Sequence, residues 1–210
     1  MKRHLISLVA ALTLSASAAQ AITIVNAGFE DPAGSGLLSF SPSVPLPGWT
    51  VISGDVETVD AGAFWAPSEG SRSLDLNGLN PGAIRQTLSG FQVGSTYELL
   101  FDMGGNFYSG AFSQIANASI GSASQDFTYT LEPGDTRGNF TWKEMSLQFT
   151  ASATSQDLTF TQVSLALGAG AALDNVRVNL VGVPAIPVPA TLPLLLAGVG
   201  AFAWMRRRKG

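Results

Sequence analysis

The lack of a helical period is the strongest constraint in this sequence. Between Ile22 and Leu180 no stretch repeats apolar residues at the spacing of an amphipathic helix. Short runs rich in Val, Ile, Thr and aromatic residues recur instead, separated by clusters of Gly, Pro, Asn and Ser. They fall at Thr23–Val25, Trp49–Ile52, Val56–Val59, Arg72–Leu76, Ala83–Leu88, Thr96–Met103, Ala116–Ile120, Asp126–Thr130, Thr141–Phe149, Leu158–Gln162 and Asn175–Leu180. Within Thr141–Phe149 the period of two puts Met145, Leu147 and Phe149 on one face. Strands this short at this spacing predict an all-β fold, a jelly-roll β-sandwich of two antiparallel sheets. Leu37–Pro47 reads as a surface loop, because Pro42, Pro45 and Pro47 limit its conformations.

The two ends are built differently. Met1–His4 is basic, Leu5–Leu14 is apolar, and the small residues that follow close with Ala19-Gln20-Ala21. This order is that of a secretory signal peptide, residues 1–21, cut after Ala21. At the other end Ile186-Pro187-Val188-Pro189-Ala190 precedes an apolar run, 191–205, and the basic cluster 206–209. The run is shorter than the roughly 20 residues of a full span. It extends backwards through the uncharged Leu180–Ala190, and the terminal cations would hold it with the preceding domain outside. The expected organisation is a signal peptide, a β-sandwich over 22–183 and a tail over 184–210 that carries a transmembrane helix.

Between these ends the charge is one-sided. All 15 acidic residues lie between Glu30 and Asp174. Only Arg72, Arg85, Arg137, Lys143 and Arg177 oppose them. A domain this acidic is a poor partner for nucleic acid. The single His is His4, and there is no Cys. That excludes a Ser-His-Asp triad, a Cys nucleophile, a His or Cys zinc site and any disulfide from the mature domain. Hydrolysis by two carboxylates stays chemically open, although no pattern among the 15 singles out a pair.

Candidate ligand residues are aromatics near loops with polar neighbours, since small-ligand sites join apolar surface to a few placed polar groups. Trp65 in the loop Gly62–Pro67 leads. Tyr108, with Asn106 as polar partner, comes next. Trp49, after a Pro-Gly turn, and Trp142 read as core. Asp75 and Asn77 alternate and so share a strand face. They could bond sugar hydroxyls, a backbone turn or a cation.

Two resemblances rest on these residues. The order IPVPA, apolar run, RRRK resembles the PEP-CTERM sorting signals of Gram-negative bacteria, in the variant with a VPLPA-like motif. Here Ile and Val replace Val and Leu. The resemblance implies an exosortase as processing partner, an inner-membrane intermediate, and release to the cell surface or the extracellular matrix. The second is carried by Val25–Glu30, Pro47–Val51, Gly70–Gly78, Gly82–Thr87, Tyr97–Asn106 and Leu173–Val178. It resembles the choice-of-anchor C domain, a relative of the galactose-binding-like β-sandwiches. That resemblance implies a structural calcium ion with Glu30 and Asp174 as ligands, and Asn26 as a further oxygen donor. Together the readings imply a non-catalytic matrix protein that contacts extracellular polysaccharide. The alternatives are a structural adhesin without sugar binding and a two-carboxylate glycoside hydrolase.

Overall fold

The structure is a computed structural model that describes residues 21–184 except 109, 111, 112 and 165–167. Residues 1–20 of the expected signal peptide, Ala19 included, the sorting motif and the expected transmembrane helix lie outside the described residues. Within them there is no helix, and none long and apolar enough to cross a membrane.

Eleven strands form: β1 Leu37–Phe40, β2 Thr50–Ser53, β3 Val56–Asp60, β4 Arg72–Asp75, β5 Ala83–Ser89, β6 Thr96–Gly105, β7 Ser113–Ile120, β8 Ala123–Thr130, β9 Lys143–Thr150, β10 Ser155–Gln162 and β11 Ala171–Gly182. They pair antiparallel into a six-stranded sheet, β1-β3-β4-β11-β6-β9, and a five-stranded sheet, β2-β5-β10-β7-β8. The chain changes sheet at every connection except β3–β4 and β7–β8. This is the crossing pattern that closes a jelly roll over one core.

The core follows the alternation. Tyr97, Leu99, Phe101 and Met103 of β6 face inward, and so do Leu147 and Phe149 of β9. Ile84, Leu88, Ala118, Ile120, Leu158 and Phe160 meet them from the other sheet. Phe101 stands edge-on to both Phe127 and Phe160, with centroids 5.1 and 5.0 Å away. Trp49 is buried against Phe29 and Phe160, as its place after the turn implied.

Two expectations fail. Leu37–Phe40 is a strand, not loop, and pairs with β3 from Leu37↔Val59 to Phe40↔Val56. Its four residues carry no full alternation, so only the partner edge makes it a strand. Arg72 helps to fix the turn before it. Its buried guanidinium donates to Gly34 O (2.6 Å), Gly36 O (3.1 Å) and Thr58 O (2.7 Å). Thr23–Val25, by contrast, joins no sheet. Gln86 holds it in place of a ladder, accepting from Val25 N and donating to Val25 O and Gly48 O.

Candidate functional site

A second layer of aromatic rings is continuous with the same core. Gly104 alternates with Met103 and so presents its α-carbon to the opposite face of β6. That space is filled by Phe140: a Cβ on Gly104 would overlap the ring, with Cζ at 2.8 Å. Phe140 in turn contacts Trp65, Phe107, Tyr129 and Trp142, at centroid distances of 5.2–6.1 Å. Trp65 continues to Phe64, and Phe64 stands edge-on to Tyr108 at 5.0 Å. Three connections meet here: the one after β3, the one after β6 and the one between β8 and β9.

The expected stacking residues therefore divide. Trp65 is only 2% exposed, and its indole N–H donates to Ser73 Oγ at 2.9 Å inside the protein. It pins its loop to β4 and has no free ring face for a ligand. Tyr108 is 46% exposed, and its hydroxyl reaches Phe64 O at 3.4 Å. Phe64 and Trp142 are half-buried beside it, and the Trp142 N–H donates to Ala66 O. The expectation of an exposed Trp65 fails, because adjacent loop residues carry no period to say which of Phe64 and Trp65 turns inward.

Asp75, Asn77 and Asn106 come together, but out of the solvent. All three are buried. Asn106 Nδ2 donates to Asp75 Oδ2 (2.8 Å) and the Asn77 N–H to Asp75 Oδ1 (2.9 Å). Asn106 N bonds Gly170 O, and Gln114 Nε2 donates to Asn106 O. Gln162 extends the network, donating to Gln114 Oε1 and accepting from Ala171 N. Burial pushes the Asp75 carboxyl up to about 7, against the hydrogen bonds that favour its anion. The network braces strand ends from both sheets; it offers no open face for a sugar.

Of the residues proposed for calcium, Glu30 and Asp174 bind the segment 68–72. Glu30 accepts from Ser71 N, Ser71 Oγ and Arg72 N. Burial raises its pKa, but these bonds outweigh it and the net shift is downward. Asp174 Oδ2 accepts from Ser68 N (2.8 Å) and Glu69 N (3.0 Å), and Oδ1 accepts from Asn175 N (2.7 Å). Burial pushes it up to about 7, and nearby Glu69 adds to the rise. Asn175 takes a φ of 51° at a bulge in β11, and the next N–H, of Val176, donates to Ala27 O. Asn26 spends its amide on Asp31 and on the β1–β2 connection, donating to Asp31 O and Pro47 O and accepting from Asp31 N. Direct hydrogen bonds thus already join the two ends of the domain. Among the described residues no three His, Cys, Asp or Glu side chains converge as a metal cluster would.

Known proteins resemble this chain in three ways. Residues 185–209 match the PEP-CTERM protein-sorting motif. Halomucin of Haloquadratum walsbyi is 38% identical over 140 residues, which is 65% of this chain and 1% of that protein's length. Among solved structures, the adhesin domain of Lys-gingipain from Porphyromonas gingivalis W83 aligns at 16% identity and a TM-score of 0.48, covering 70% of this chain and all of that one. TmCBM61, solved in complex with β-1,4-galactotriose, aligns at 16% and 0.47, covering 74% and 96%. A family 16 carbohydrate-binding module aligns at 14% and 0.45, covering 66% and 95%. Nearly all of the sandwich, residues 22–179, matches one family model, and the chain belongs to that family, DUF642, described as a protein of unknown function.

Proposed function

We propose that this chain is an exported surface or matrix protein, processed by an exosortase, whose sandwich contacts extracellular polysaccharide without catalysing a reaction on it. The observation that carries the reading is the sorting motif, which begins at residue 185, three residues after β11 ends. The domain is therefore the cargo of that signal. Its outward surface suits a hydrated polymer. One row across the five-stranded sheet reads Thr50, Arg85, Thr159, Ser119 and Ser124, all hydrogen-bonding side chains. Recurrence of a similar segment inside the far longer halomucin suits a binding or structural module.

Catalysis is disfavoured by burial. Asp75 and Asp174 have the raised pKa that a general acid needs, but they are 1% and 0% exposed and cannot reach a glycosidic bond. A structural calcium ion beside Glu30 and Asp174 belongs to this reading as a stabiliser alone, supported by the buried Asp174 carboxylate next to Glu69. The test is binding of the full chain, in mild detergent, to the host's own extracellular polysaccharide, with calcium and with a chelator. Saturable binding without depolymerisation is expected. A folded protein that shows no binding in either condition, and self-associates instead, would replace this reading with the structural adhesin.

A further inference from the structure

Four of the five basic residues between the two ends have a partner. Arg72 is buried among carbonyls. Arg85 pairs with Asp157 at 3.6 Å, Lys143 with Glu132, and Arg177 with Glu144. Arg137 alone has no hydrogen bond or ion pair among the described residues, in a domain with ten more carboxylates than cations. Nor is it on a loose segment. Thr136 and Asn139 exchange backbone hydrogen bonds of 2.9 and 3.3 Å across it. Asp135, the residue before that turn, accepts from Glu132 N, Thr141 N and Thr141 Oγ1. These bonds occupy Asp135, and Lys143 occupies Glu132, so the two nearest carboxylates in sequence are already engaged.

The turn abuts the exposed aromatic rim. A Cβ on Gly138, the residue after Arg137, would lie 2.9 Å from Phe64 O and 3.4 Å from the Tyr108 hydroxyl. Arg137 is thus an exposed residue on a braced turn, and the next residue of that turn abuts the Phe64 carbonyl and the Tyr108 hydroxyl. A sugar ring can lie against an aromatic face, while a guanidinium takes a carboxylate in a two-pronged bond. We propose that Arg137, Tyr108 and Phe64 form a subsite for a carboxylated sugar unit, so that the polymer held is an acidic, uronate-bearing polysaccharide. This rests on the polysaccharide reading above and specifies its ligand. The acidic domain repels a polyanion elsewhere, which confines binding to this end. Over a screening length of about 8 Å at physiological salt, that repulsion does not cancel the local pair.

The test uses the full chain in mild detergent, with affinity electrophoresis through polygalacturonate and through the same polymer methyl-esterified. The unmodified acid should retard the protein and the neutral ester should not. R137A should weaken retardation by roughly tenfold, the scale of one charge-assisted pair. R137K should recover only part of it, because an ammonium cannot make the two-pronged bond. Y108A should also weaken it. Unchanged melting of R137A is expected, since the side chain makes no hydrogen bond or ion pair among the described residues. Equal retardation of wild type and R137A, or equal binding of acid and ester, overturns the subsite but leaves polysaccharide binding standing. Absence of binding to both polymers and to the host polysaccharide overturns both.

Discussion

The second aromatic layer depends on one close approach, Gly104 against Phe140, and the pair can be tested as a unit. Gly104 has no positive φ to protect, so Ala there would ordinarily gain up to about 1 kcal/mol of strand preference. The Phe140 ring reverses that sign. The new methyl would overlap Cε2 and lie 2.8 Å from Cζ, and overpacking of this kind costs about 1–3 kcal/mol. F140A removes a ring that is 8% exposed and touches four other aromatics, at a cost of about 3–5 kcal/mol. In the double variant the methyl enters the space that the ring vacated. The two costs should then fall short of their sum by about 1–3 kcal/mol, the range for residues in direct contact. Urea unfolding followed by tryptophan fluorescence measures all three variants, and Trp65 and Trp142 flank the site as reporters. Strict additivity, or a G104A variant as stable as wild type, would refute the claim that the β8–β9 connection packs onto the outer face of β6.

Other outcomes follow from the buried charges. Asp75 and Asp174 are both pushed up to about 7 from an ordinary 3.8. The unfolded chain therefore releases these protons first as pH rises. Their contribution to stability is full below about pH 4 and is lost through about pH 7, by on the order of 4 kcal/mol at most for each. Melting temperature should fall between pH 5 and 8, and D75N should flatten that decline; a steady rise over the same interval would contradict the burial argument. R72M should cost about 3–5 kcal/mol by chemical denaturation, because it strands the carbonyls of Gly34, Gly36 and Thr58. R72K should recover only part of that. If calcium stabilises the domain through Glu30 and Asp174, the shift in melting temperature on adding a chelator should vanish in E30Q. A shift of the same size in E30Q would place the ion elsewhere.

The strands that sequence revealed are those whose own residues alternate or cluster. β6 and β9 are legible because Tyr97, Leu99, Phe101 and Met103, and again Leu147 and Phe149, mark an inner face without help from a partner. β1 is illegible for the converse reason. Its Leu-Leu-Ser-Phe becomes a strand through β3 and through a turn held by Arg72, some 35 residues away in the chain. The candidate site fails in the same way. Asp75 ends β4 and Asn77 lies two residues beyond it, but whether they meet water depends on Asn106 and Gly170, which close over Asp75 from distant loops. Trp65 looked exposed because loops generally are. The covering ring, Phe140, is supplied by a connection whose path no local pattern records.

The acidic composition has a structural explanation that also bears on function. With no disulfide available, long connections are held by single carboxylates that collect hydrogen-bond donors from another segment. Asp55 takes Leu79 N and Asn80 N, Asp60 takes Gly36 N and Gly62 N, and Asp135 takes Glu132 N and Thr141 N. Glu30 takes Ser71 N and Arg72 N, and Asp174 takes Ser68 N and Glu69 N. An acceptor-only side chain with two oxygens suits this task, since it can satisfy several backbone donors at once. The excess of carboxylates is therefore, in good part, internal bracing rather than a surface waiting for cations. It also explains how Arg137 stays unpaired among so many acids: those near it in sequence are committed to backbone N–H groups or to Lys143. A guanidinium that the fold leaves unneutralised keeps its capacity for a carboxylate from outside the chain.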